Sequence, residues 1–276
     1  MEIRFCNSPA ETKTMDTEQL RKNFLVEDLM QENKLTLVYT HYDRVIVGGT
    51  KPLGKTVVLA NEEELKADFF LQRRELGIIN VGGNGTVTVD GQKYSLNKLE
   101  CLYVSRGSKK VSFASSSKKE PAQFYMLSAP AHKEYPTTKY TKEQAAPVNL
   151  GSIETSNKRT IYKYIHDDGI QSCQLVMGLT VLEPGSVWNS VPPHTHTRRM
   201  EVYFYFDLPE TQRLFHMMGE PQQTRHIIMK NNEAVISPPW SGHYGCGTSN
   251  YGFIWGMAGE NKQFTDMDAT PVATLK

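Results

Sequence analysis

The chain has 276 residues, a length that favours one large domain or two of ordinary size over a single small core. Its 31 basic and 30 acidic side chains give a formal net charge of +1, so there is no broad positive field for nucleic acid or an anionic membrane surface. The four cysteines include no CxxC pair, which argues against a disulfide framework and indicates a reducing, cytoplasmic location. The N-terminus lacks the apolar run of a secretory signal, so we expect a soluble protein with no membrane contact.

One amphipathic helix is predicted near the start of the chain. Asp16 and Gln19 have the spacing of a capping box, in which each side chain satisfies the backbone N–H of the other residue. The apolar residues that follow fall on roughly one face of a helix: Leu20, Phe24, Leu25 and Leu29. The sequence therefore predicts a short N-terminal helix.

Strand signals dominate the rest of the first half. Short β-branched or aromatic runs alternate with Gly, Asn and Asp turn residues, which predicts strands at residues 35–39, 44–47, 86–89, 102–104 and 124–127. Between about residues 128 and 150 the composition shifts to Pro, Lys, Thr and Ala, as is typical of a linker. We therefore predict an N-terminal domain at residues 1–140, which includes the helix, and a C-terminal domain at residues 141–276.

The second half repeats the strand pattern, with strands predicted at residues 174–178, 202–206, 214–218, 226–229 and 251–255. Residues 73–82 can be laid against residues 198–206 with a one-residue shift, which suggests two copies of one unit. Both halves are expected to be all-β, each an antiparallel sandwich or barrel.

The segment Pro-Pro-His-Thr-His-Thr-Arg-Arg-Met-Glu at residues 192–201 has the pattern of a metal site. His194 and His196 are two residues apart, so on a strand they point to the same side and can share one cation. Glu201 would lie on the opposite face of a straight strand, so it joins the site only if the chain bends after His196. His243 follows a glycine turn and could reach the same cation from an opposing strand. Three nitrogens and one carboxylate suit Zn, Mn, Fe or Ni.

Three other histidines and one cysteine in this half are interpreted as structural. His216 and His226 sit in strand-like runs and are expected in the core or lumen, whereas His166 is expected at the surface beside two aspartates. Cys246 is expected to be a buried, inert thiol.

Residues after Glu201 alternate between two kinds of side chain. Glu201, Tyr203 and Tyr205 fall on one face of the predicted strand and would line the cavity. The opposite face carries apolar residues, Val202, Phe204 and Phe206. Either the other domain or another subunit is expected to cover that face, so a homo-oligomer is a prediction.

Basic residues near the metal motif are candidates for binding a substrate anion. The Arg198 guanidinium could pair with a carboxylate or phosphate, as could Arg159 and Lys163 ahead of the second barrel. A solvated surface is the alternative for each of them.

The HxH motif, the following glutamate and the later Gly-His element resemble the metal signature of cupins. Longer strings resemble the 5-keto-4-deoxyuronate isomerase family almost end to end: residues 44–49, 73–77, 193–196, 198–206, 215–219 and 253–257. That family is also called 4-deoxy-L-threo-5-hexosulose-uronate ketol-isomerase. The resemblance implies an all-β fold of two tandem cupin-type β-barrels with a short N-terminal helix.

The resemblance also implies an activity and a cofactor. The family's members are intracellular zinc enzymes of pectin and uronate breakdown, commonly hexamers. They convert 5-dehydro-4-deoxy-D-glucuronate into 3-deoxy-D-glycero-2,5-hexodiulosonate. Carried over by position, the metal ligands are His194, His196, Glu201 and His243, with one divalent metal, expected to be Zn, in each chain. In the N-terminal copy, if Glu75 takes the glutamate position, Asp68 and Phe70 replace the histidines, so that barrel is expected to hold no metal.

A ketol isomerisation needs a group that stabilises an enediolate, and a divalent ion can do this as a Lewis acid. The base is left open among Tyr203, His226, Glu233 and a hydroxide on the metal, while Arg198, Arg159 or Lys163 would bind the substrate carboxylate. A metal-dependent cupin dioxygenase and a non-catalytic sugar-acid-binding cupin are the alternative functions. A closed, structural zinc site is a further alternative.

Overall fold

The structure is a computed structural model that describes all residues from 1 to 276. Its helices are short: α1 (Pro9–Thr12), α2 (Thr17–Phe24), and 3-10 turns at Glu63–Leu65 and Val272–Thr274. Strands up to residue 140 are β1 (Glu2–Arg4), β2 (Leu25–Val26), β3 (Leu35–Thr40), β4 (Ile46–Thr50), β5 (Val57–Val58), β6 (Arg74–Asn80), β7 (Gly85–Val89), β8 (Gln92–Leu96), β9 (Cys101–Val104), β10 (Val111–Ser115), β11 (Phe124–Pro130) and β12 (Thr138–Tyr140). The later strands are β13 (Val148–Leu150), β14 (Arg159–Ile165), β15 (Val176–Leu182), β16 (Trp188–Asn189), β17 (His194–Thr195), β18 (Arg199–Phe206), β19 (Leu214–Glu220), β20 (Gln223–Met229), β21 (Ala234–Ser237), β22 (Tyr244–Gly247), β23 (Gly252–Gly259) and β24 (Asp268–Ala269).

The predicted N-terminal helix is confirmed as α2. Asp16 caps it, because its side chain accepts the N–H of Gln19 while the Gln19 side chain accepts the N–H of Asp16. Leu20 and Phe24 are buried on its inner face. A second capping box, formed by Ser8 and Glu11, begins the single-turn helix α1. None of the helices is long and apolar enough to span a membrane.

The all-β prediction is confirmed, and the sheets repeat between the two halves. The N-terminal sheet pair has seven strands in the order β1-β3-β4-β11-β6-β9-β12 and four in the order β5-β10-β7-β8. The C-terminal sheet pair has seven in the order β13-β14-β15-β23-β18-β21-β2 and four in the order β16-β22-β19-β20. Position by position, β6 therefore corresponds to β18 and β11 to β23.

The start of the chain crosses between the halves. Strand β2, which directly follows α2, pairs with β21 through Leu25↔Val235 and Val26↔Ala234. The helix therefore lies against the C-terminal sheet pair, although the sequence groups it with the N-terminal domain. Strand β12 pairs with β9 of the N-terminal sheet pair. The division at residue 140 stays a prediction.

The apolar face of β18 is covered by the other half of the same chain. The Phe204 ring stacks on Tyr125 of β11, with ring centroids 4.5 Å apart. A continuous cluster of 45 buried residues includes Val202, Phe204 and Phe206 together with Val47, Ile79 and Leu127. The sequence analysis allowed either the other domain or another subunit to cover this face. In the structure the N-terminal half of the same chain covers it, so this face gives no evidence of a further subunit.

Glu75 ties the two halves together. It is 0% exposed, and its carboxylate accepts the backbone N–H groups of Cys173, Gln174 and Leu175 at 2.7, 2.8 and 2.8 Å. It also accepts the Tyr103 hydroxyl at 2.9 Å. A buried carboxylate is stable here because several donors replace its hydration.

This position of Glu75 corrects the sequence alignment that sets it against the metal glutamate. Leu76 is the third residue of β6, as Glu201 is the third residue of β18. Leu76 belongs to the separate apolar core of 18 residues between the N-terminal sheets, whereas Glu75 points to the opposite face. A shift of one residue reverses the face on which a strand side chain lies.

Candidate metal centre

The chain bends between His196 and Glu201, as the sequence requires if both are to reach one cation. His194 lies on the short strand β17, and Thr197 and Arg198 form a turn before β18 begins at Arg199. Glu201 then projects from the seven-stranded sheet. His243 precedes β22 of the four-stranded sheet, so the four side chains approach each other from different elements.

The four side chains converge on one point. Each offers one donor atom, and these atoms all lie within 4.8 Å of one another. The Glu201 Oε2 atom lies 2.8 Å from Nε2 of His196 and 2.7 Å from Nε2 of His243. Nε2 of His243 lies 3.1 Å from Nε2 of His196 and 3.0 Å from Nε2 of His194.

The site is buried and keeps two ligands, Glu201 and His194, in the form that binds metal. His196, Glu201 and His243 are 2%, 3% and 1% exposed, and His194 is half-buried. Burial alone would raise the pKa of Glu201, but the charges and hydrogen bonds of His243 and His196 outweigh it and hold that pKa well below its ordinary value. Burial, followed by the charge of His243, lowers the pKa of His194 to about 3. A carboxylate and a neutral imidazole are therefore the resting forms of Glu201 and His194.

This donor set fits a divalent metal ion. Bonds of about 2 Å to nitrogen and oxygen place neighbouring donors roughly 3 Å apart. Four of the six donor pairs lie 2.7–3.1 Å apart, and all four donor atoms lie within 4.8 Å of one another. Three imidazole nitrogens and one carboxylate suit borderline divalent ions. The cluster can hold a metal ion without rearrangement of the strands that carry it.

Backbone carbonyls orient two of the imidazoles. His196 Nδ1 lies 2.8 Å from the Asp266 carbonyl oxygen, and His243 Nδ1 lies 3.1 Å from that of Ser241. Because a carbonyl only accepts, both contacts favour the tautomer with the proton on Nδ1, in which Nε2 turns its free electron pair to the site. At His196 the Arg199 Nε–H lies 3.2 Å from the same Nδ1 atom and competes with this arrangement. The buried Arg199 guanidinium also donates to the Asp266 carbonyl, at 3.1 Å, and to that of Gln263, at 2.7 Å.

A cavity of about 270 Å³ opens over His194, His196 and Glu201. Most of its wall is apolar or aromatic and includes Phe253, Trp255, Met257 and Phe264. Polar groups on the wall are few: Arg159, Thr180, Ser190 and Tyr203. A mostly apolar cavity with a few polar groups beside a metal-binding cluster is typical of a small-molecule site.

Tyr203 lies in the cavity wall beside the ligands. Its ring centroid is 5.4 Å from that of His243, and its hydroxyl lies 2.7 Å from the Ser190 hydroxyl. Burial and the Glu201 carboxylate raise the pKa of Tyr203 well above its ordinary value. The Tyr203 phenol therefore stays protonated at neutral pH.

Among the three predicted anion-binding residues, only Arg159 lines the cavity. Its guanidinium donates to the Asn157 carbonyl at 2.9 Å and forms no ion pair within the protein. Burial lowers its pKa. Arg198 is paired with carboxylates of the last segment, Asp266 at 2.5 Å and Asp268 at 3.0 Å.

The third candidate, Lys163, does not line the cavity. Its ammonium lies 5.3 Å from the centre of the Phe264 ring, and that ring is part of the wall. Lys163 therefore reaches the site only through an aromatic side chain.

Two predicted candidates for the base lie elsewhere. His226 is exposed on β20, where its backbone pairs with Met217, and it does not line the cavity. Glu233 borders a different cavity beside Asp28 and Asn232, and its carboxylate accepts the N–H of Lys230 at 2.7 Å. Neither side chain belongs to the wall over the metal ligands, so neither is carried into the mechanism proposed below.

The residues interpreted as structural lie outside the cavity wall as well. His216 is fully buried in the core, where its Nδ1 atom lies 2.8 Å from the Tyr205 hydroxyl. Burial lowers the pKa of His216 to about 3 and raises that of the half-buried Cys246. His166 is half-buried rather than fully exposed.

Sequence reasoning missed the last segment of the chain. Strand β24 pairs with β17 through His194↔Ala269 and Thr195↔Asp268, so this segment lies directly on the ligand strand. It also brings Phe264 and Met267 into the cavity wall. Nothing in the local composition of residues 260–270 signals that position, because it depends on pairing between strands far apart in sequence.

Comparison with known proteins places the chain in a family. Residues 24–272 match the model of the KduI/IolB family. The chain is 54% identical to a protein of Caldicellulosiruptor bescii and 55% identical to one of Shouchella clausii, in each case over 276 residues and 100% of both chains. Both relatives are named 4-deoxy-L-threo-5-hexosulose-uronate ketol-isomerase.

A solved structure supports the tandem cupin-type fold. The crystal structure of an IolB-like protein from Salmonella typhimurium LT2 superposes with a TM-score of 0.69 at 13% identity, covering 90% of this chain and 97% of that one. At this identity the likeness concerns the fold alone. The match of residues 24–272 and the full-length relatives together show that this chain belongs to the KduI/IolB family.

Proposed function

We propose that this chain is a ketol-isomerase that interconverts 5-dehydro-4-deoxy-D-glucuronate and 3-deoxy-D-glycero-2,5-hexodiulosonate, with one zinc ion in each chain. The names of the relatives at 54% and 55% identity over the whole chain support the reaction. The structural observation that carries the proposal is a metal-binding cluster at the base of a cavity that also holds an unpaired guanidinium, Arg159.

The ligands are His194, His196, Glu201 and His243. When bound, a zinc ion supplies positive charge that lowers the energy of an enediolate. The carboxylate of Glu201 offsets part of the ion's charge, and the carbonyl oxygens behind His196 and His243 hold the imidazoles in the binding tautomer. Because the cavity reaches three of the four ligands, the cluster is accessible to a small molecule, which favours catalysis over a purely structural metal.

Arg159 is the proposed partner of the substrate carboxylate. A guanidinium with no carboxylate of its own, lowered in pKa by burial, gains from an anion that enters the cavity. Arg198 is already neutralised by Asp266 and Asp268, so its proposed role is to hold the last segment of the chain in place. Lys163 contributes indirectly, by packing on Phe264.

Tyr203, one of the residues considered above for the base, is proposed instead to donate a hydrogen bond to the substrate. Since its pKa lies well above the ordinary value, the phenol keeps its proton and donates a hydrogen bond to an oxygen of the substrate as negative charge develops there. The Ser190 hydroxyl, 2.7 Å away, orients the Tyr203 hydroxyl. The apolar wall formed by Phe253, Trp255 and Phe264 excludes water from that hydrogen bond.

The cavity volume agrees with a substrate of this size. Sites for drug-sized ligands have volumes of about 300–1,000 Å³. A cavity of about 270 Å³ lies just below that range and suits a six-carbon acid. One carboxylate and several hydroxyls match one arginine and a few hydroxyl groups on an otherwise apolar wall.

The biological setting belongs to the proposal as well. We assign the enzyme to pectin and uronate breakdown in the cytoplasm, a location that agrees with four unpaired cysteines. Assembly as a homo-oligomer, for example a hexamer, is proposed from the family resemblance. The N-terminal sheet pair, with Leu76 at the position of the metal glutamate, is assigned no metal.

The purified protein, analysed for metal, should be incubated with 5-dehydro-4-deoxy-D-glucuronate while product and dissolved oxygen are followed together. We expect the 2,5-diketone to form without oxygen uptake. Oxygen consumption at the rate of turnover would identify a dioxygenase instead, and binding without any product would identify a sugar-acid-binding protein.

A further inference from the structure

A second cavity, of about 380 Å³, lies in the N-terminal half and takes no part in the proposed reaction. Its wall includes Arg73, Arg74, Tyr39, His41 and Phe70. About half of the wall is apolar, with Leu65 and Pro130 beside Phe70. It is therefore a concave, mixed surface of the kind that binds small molecules.

The second cavity opens at the end of the N-terminal sheet that corresponds to the metal end of the C-terminal sheet. Leu76, the counterpart of Glu201, pairs with Ser128 of the neighbouring strand. The same row of the sheet continues through Ile46 to Tyr39, which lies in the cavity wall. Arg74 precedes Leu76 by two residues and so points to the same inner face. The N-terminal sheet pair thus keeps a cavity at its mouth, where an arginine takes part in place of metal ligands.

Arg74 is a buried cation without an anionic partner. It is 6% exposed, and its three hydrogen bonds go to neutral acceptors: the Ser128 hydroxyl at 3.1 Å, the Ser128 carbonyl at 2.9 Å and the Arg44 carbonyl at 2.6 Å. Nη1 has no partner in the protein. Burial lowers the pKa of Arg74 to about 10, because a charge held away from water without a counter-charge is destabilised.

The neighbouring charges leave the cavity positive. Arg73 donates only to the backbone carbonyls of Leu65 and Lys66. Glu64 is the one acidic residue in the wall, and its carboxylate lies 3.8 Å from the amino group of Met1. Glu75, next to Arg74 in sequence, faces the opposite side of the strand and accepts three backbone N–H groups there.

We propose that this cavity binds a small organic carboxylate, whose anionic end meets Arg74 and Arg73 and whose carbon skeleton packs on Tyr39 and Phe70. The guanidinium geometry suits a planar carboxylate. The apolar half of the wall suits a carbon skeleton, which an inorganic anion lacks. This site is independent of the metal centre and of the reaction proposed for it.

The test is a calorimetric titration of the full-length chain with D-glucuronate. The double variant His196→Ala, Arg159→Met serves as the parent, because it removes a metal ligand and the proposed carboxylate partner of the first cavity and leaves the N-terminal cavity untouched. We expect saturable binding to this parent and a loss of affinity of about tenfold or more when Arg74→Met is added, since hydrogen bonds between charged groups are lost. D-Glucose, which has no carboxylate, should not bind.

Two further variants make the test specific. Ala67→Phe fills the cavity without removing a charge and should also weaken binding, which covers the case in which Arg74→Met fails to fold. Arg213→Met is the matched control and should leave the affinity unchanged, since the Arg213 guanidinium lies outside the cavity and donates only to the carbonyls of Glu210 and Gln212.

Three results would overturn the proposal. One is the absence of D-glucuronate binding to the folded parent. Another is undiminished binding in the folded Arg74→Met or Ala67→Phe variant. The last is binding of inorganic phosphate as tightly as D-glucuronate with the same dependence on Arg74, which would make the site a general anion site rather than one for organic carboxylates.

Discussion

The Nδ1 atom of His196 lies 2.8 Å from the carbonyl oxygen of Asp266, seventy residues further along the chain. This contact orients a metal-binding imidazole from a segment that carries no ligand itself. The Asp266 side chain in turn pairs with Arg198, in the turn that lets Glu201 rejoin the two histidines. One residue therefore holds both the ring orientation and the bend on which the cluster depends.

Removal of a ligand should abolish metal binding without unfolding the protein. In His196→Ala one imidazole is lost, and in Glu201→Gln the carboxylate becomes a neutral amide of the same shape, so we expect both variants to purify without stoichiometric metal and without turnover. Metal content by elemental analysis and far-ultraviolet circular dichroism would check this. His226→Ala, which changes an exposed histidine outside the cavity, is the matched control and should keep both metal and activity. Full activity in a metal-free ligand variant would refute the role of the cluster.

Loss of the Tyr203 hydroxyl should slow the chemical step. Tyr203→Phe keeps the ring against His243 but removes the donor, so we expect kcat to fall by about 100-fold while metal content is unchanged. Ser190→Ala should have a smaller effect, because it only frees the hydroxyl to rotate. Steady-state kinetics separates these cases, and an unchanged kcat in Tyr203→Phe would remove this residue from the mechanism.

Arg159 should govern substrate binding more than turnover. Hydrogen bonds to charged groups are worth roughly 1.5–3 kcal/mol, so Arg159→Met should raise KM by about 10- to 100-fold with a smaller change in kcat. Lys163→Met is the control, because that ammonium lies over Phe264 and outside the cavity, and KM should change by less than about threefold. A larger KM effect from Lys163 than from Arg159 would reverse the assignment.

The pair between Asp266 and Arg198 should make stability depend on pH in the acid range. Hydrogen bonds from Arg198 lower the pKa of Asp266 from 3.8 to about 2, so the folded state favours the carboxylate. The resulting stabilisation is complete above pH 3.8 and is lost as the pH falls towards 2. Asp266→Asn should therefore be less stable than the parent protein at pH 6, and the difference should shrink below about pH 4.

Urea unfolding of both proteins across this pH range would measure the effect. The expected difference is small, because the pair lies near the surface and is screened by solvent. Asp268→Asn, which removes a single contact to Arg198 at 3.0 Å, is the matched control and should show less pH dependence. A stability difference that grows on acidification would contradict the pairing.

Local patterns in the sequence predicted the features that depend on neighbouring residues. The capping box at Asp16 and Gln19 marks the start of α2, since both partners lie within one helical turn. The HxH motif and the bend before Glu201 follow from the two-residue period of a strand. Alternation along β18 also separated the cavity face from the face that packs on Tyr125.

Features that depend on distant pairing were missed or misplaced. Nothing in the sequence near Asp266 indicates that β24 pairs with β17. The sequence also makes Arg198 and Arg159 equal candidates for binding the substrate anion, because the carboxylates that neutralise Arg198 lie far along the chain. His226 and Glu233 were chosen by residue type, whereas their exclusion from the cavity follows from tertiary structure. Glu75 shows how a one-residue error in register moves a side chain to the other face.

The central claim is that the cluster of His194, His196, Glu201 and His243 holds a metal ion that is required for isomerisation. Turnover of 5-dehydro-4-deoxy-D-glucuronate should be measured on the purified protein, again after chelation, and again after zinc is restored. We predict formation of the 2,5-diketone, its loss on chelation and its recovery with about one zinc ion per chain. Undiminished turnover by a protein that elemental analysis shows to be metal-free would contradict the claim.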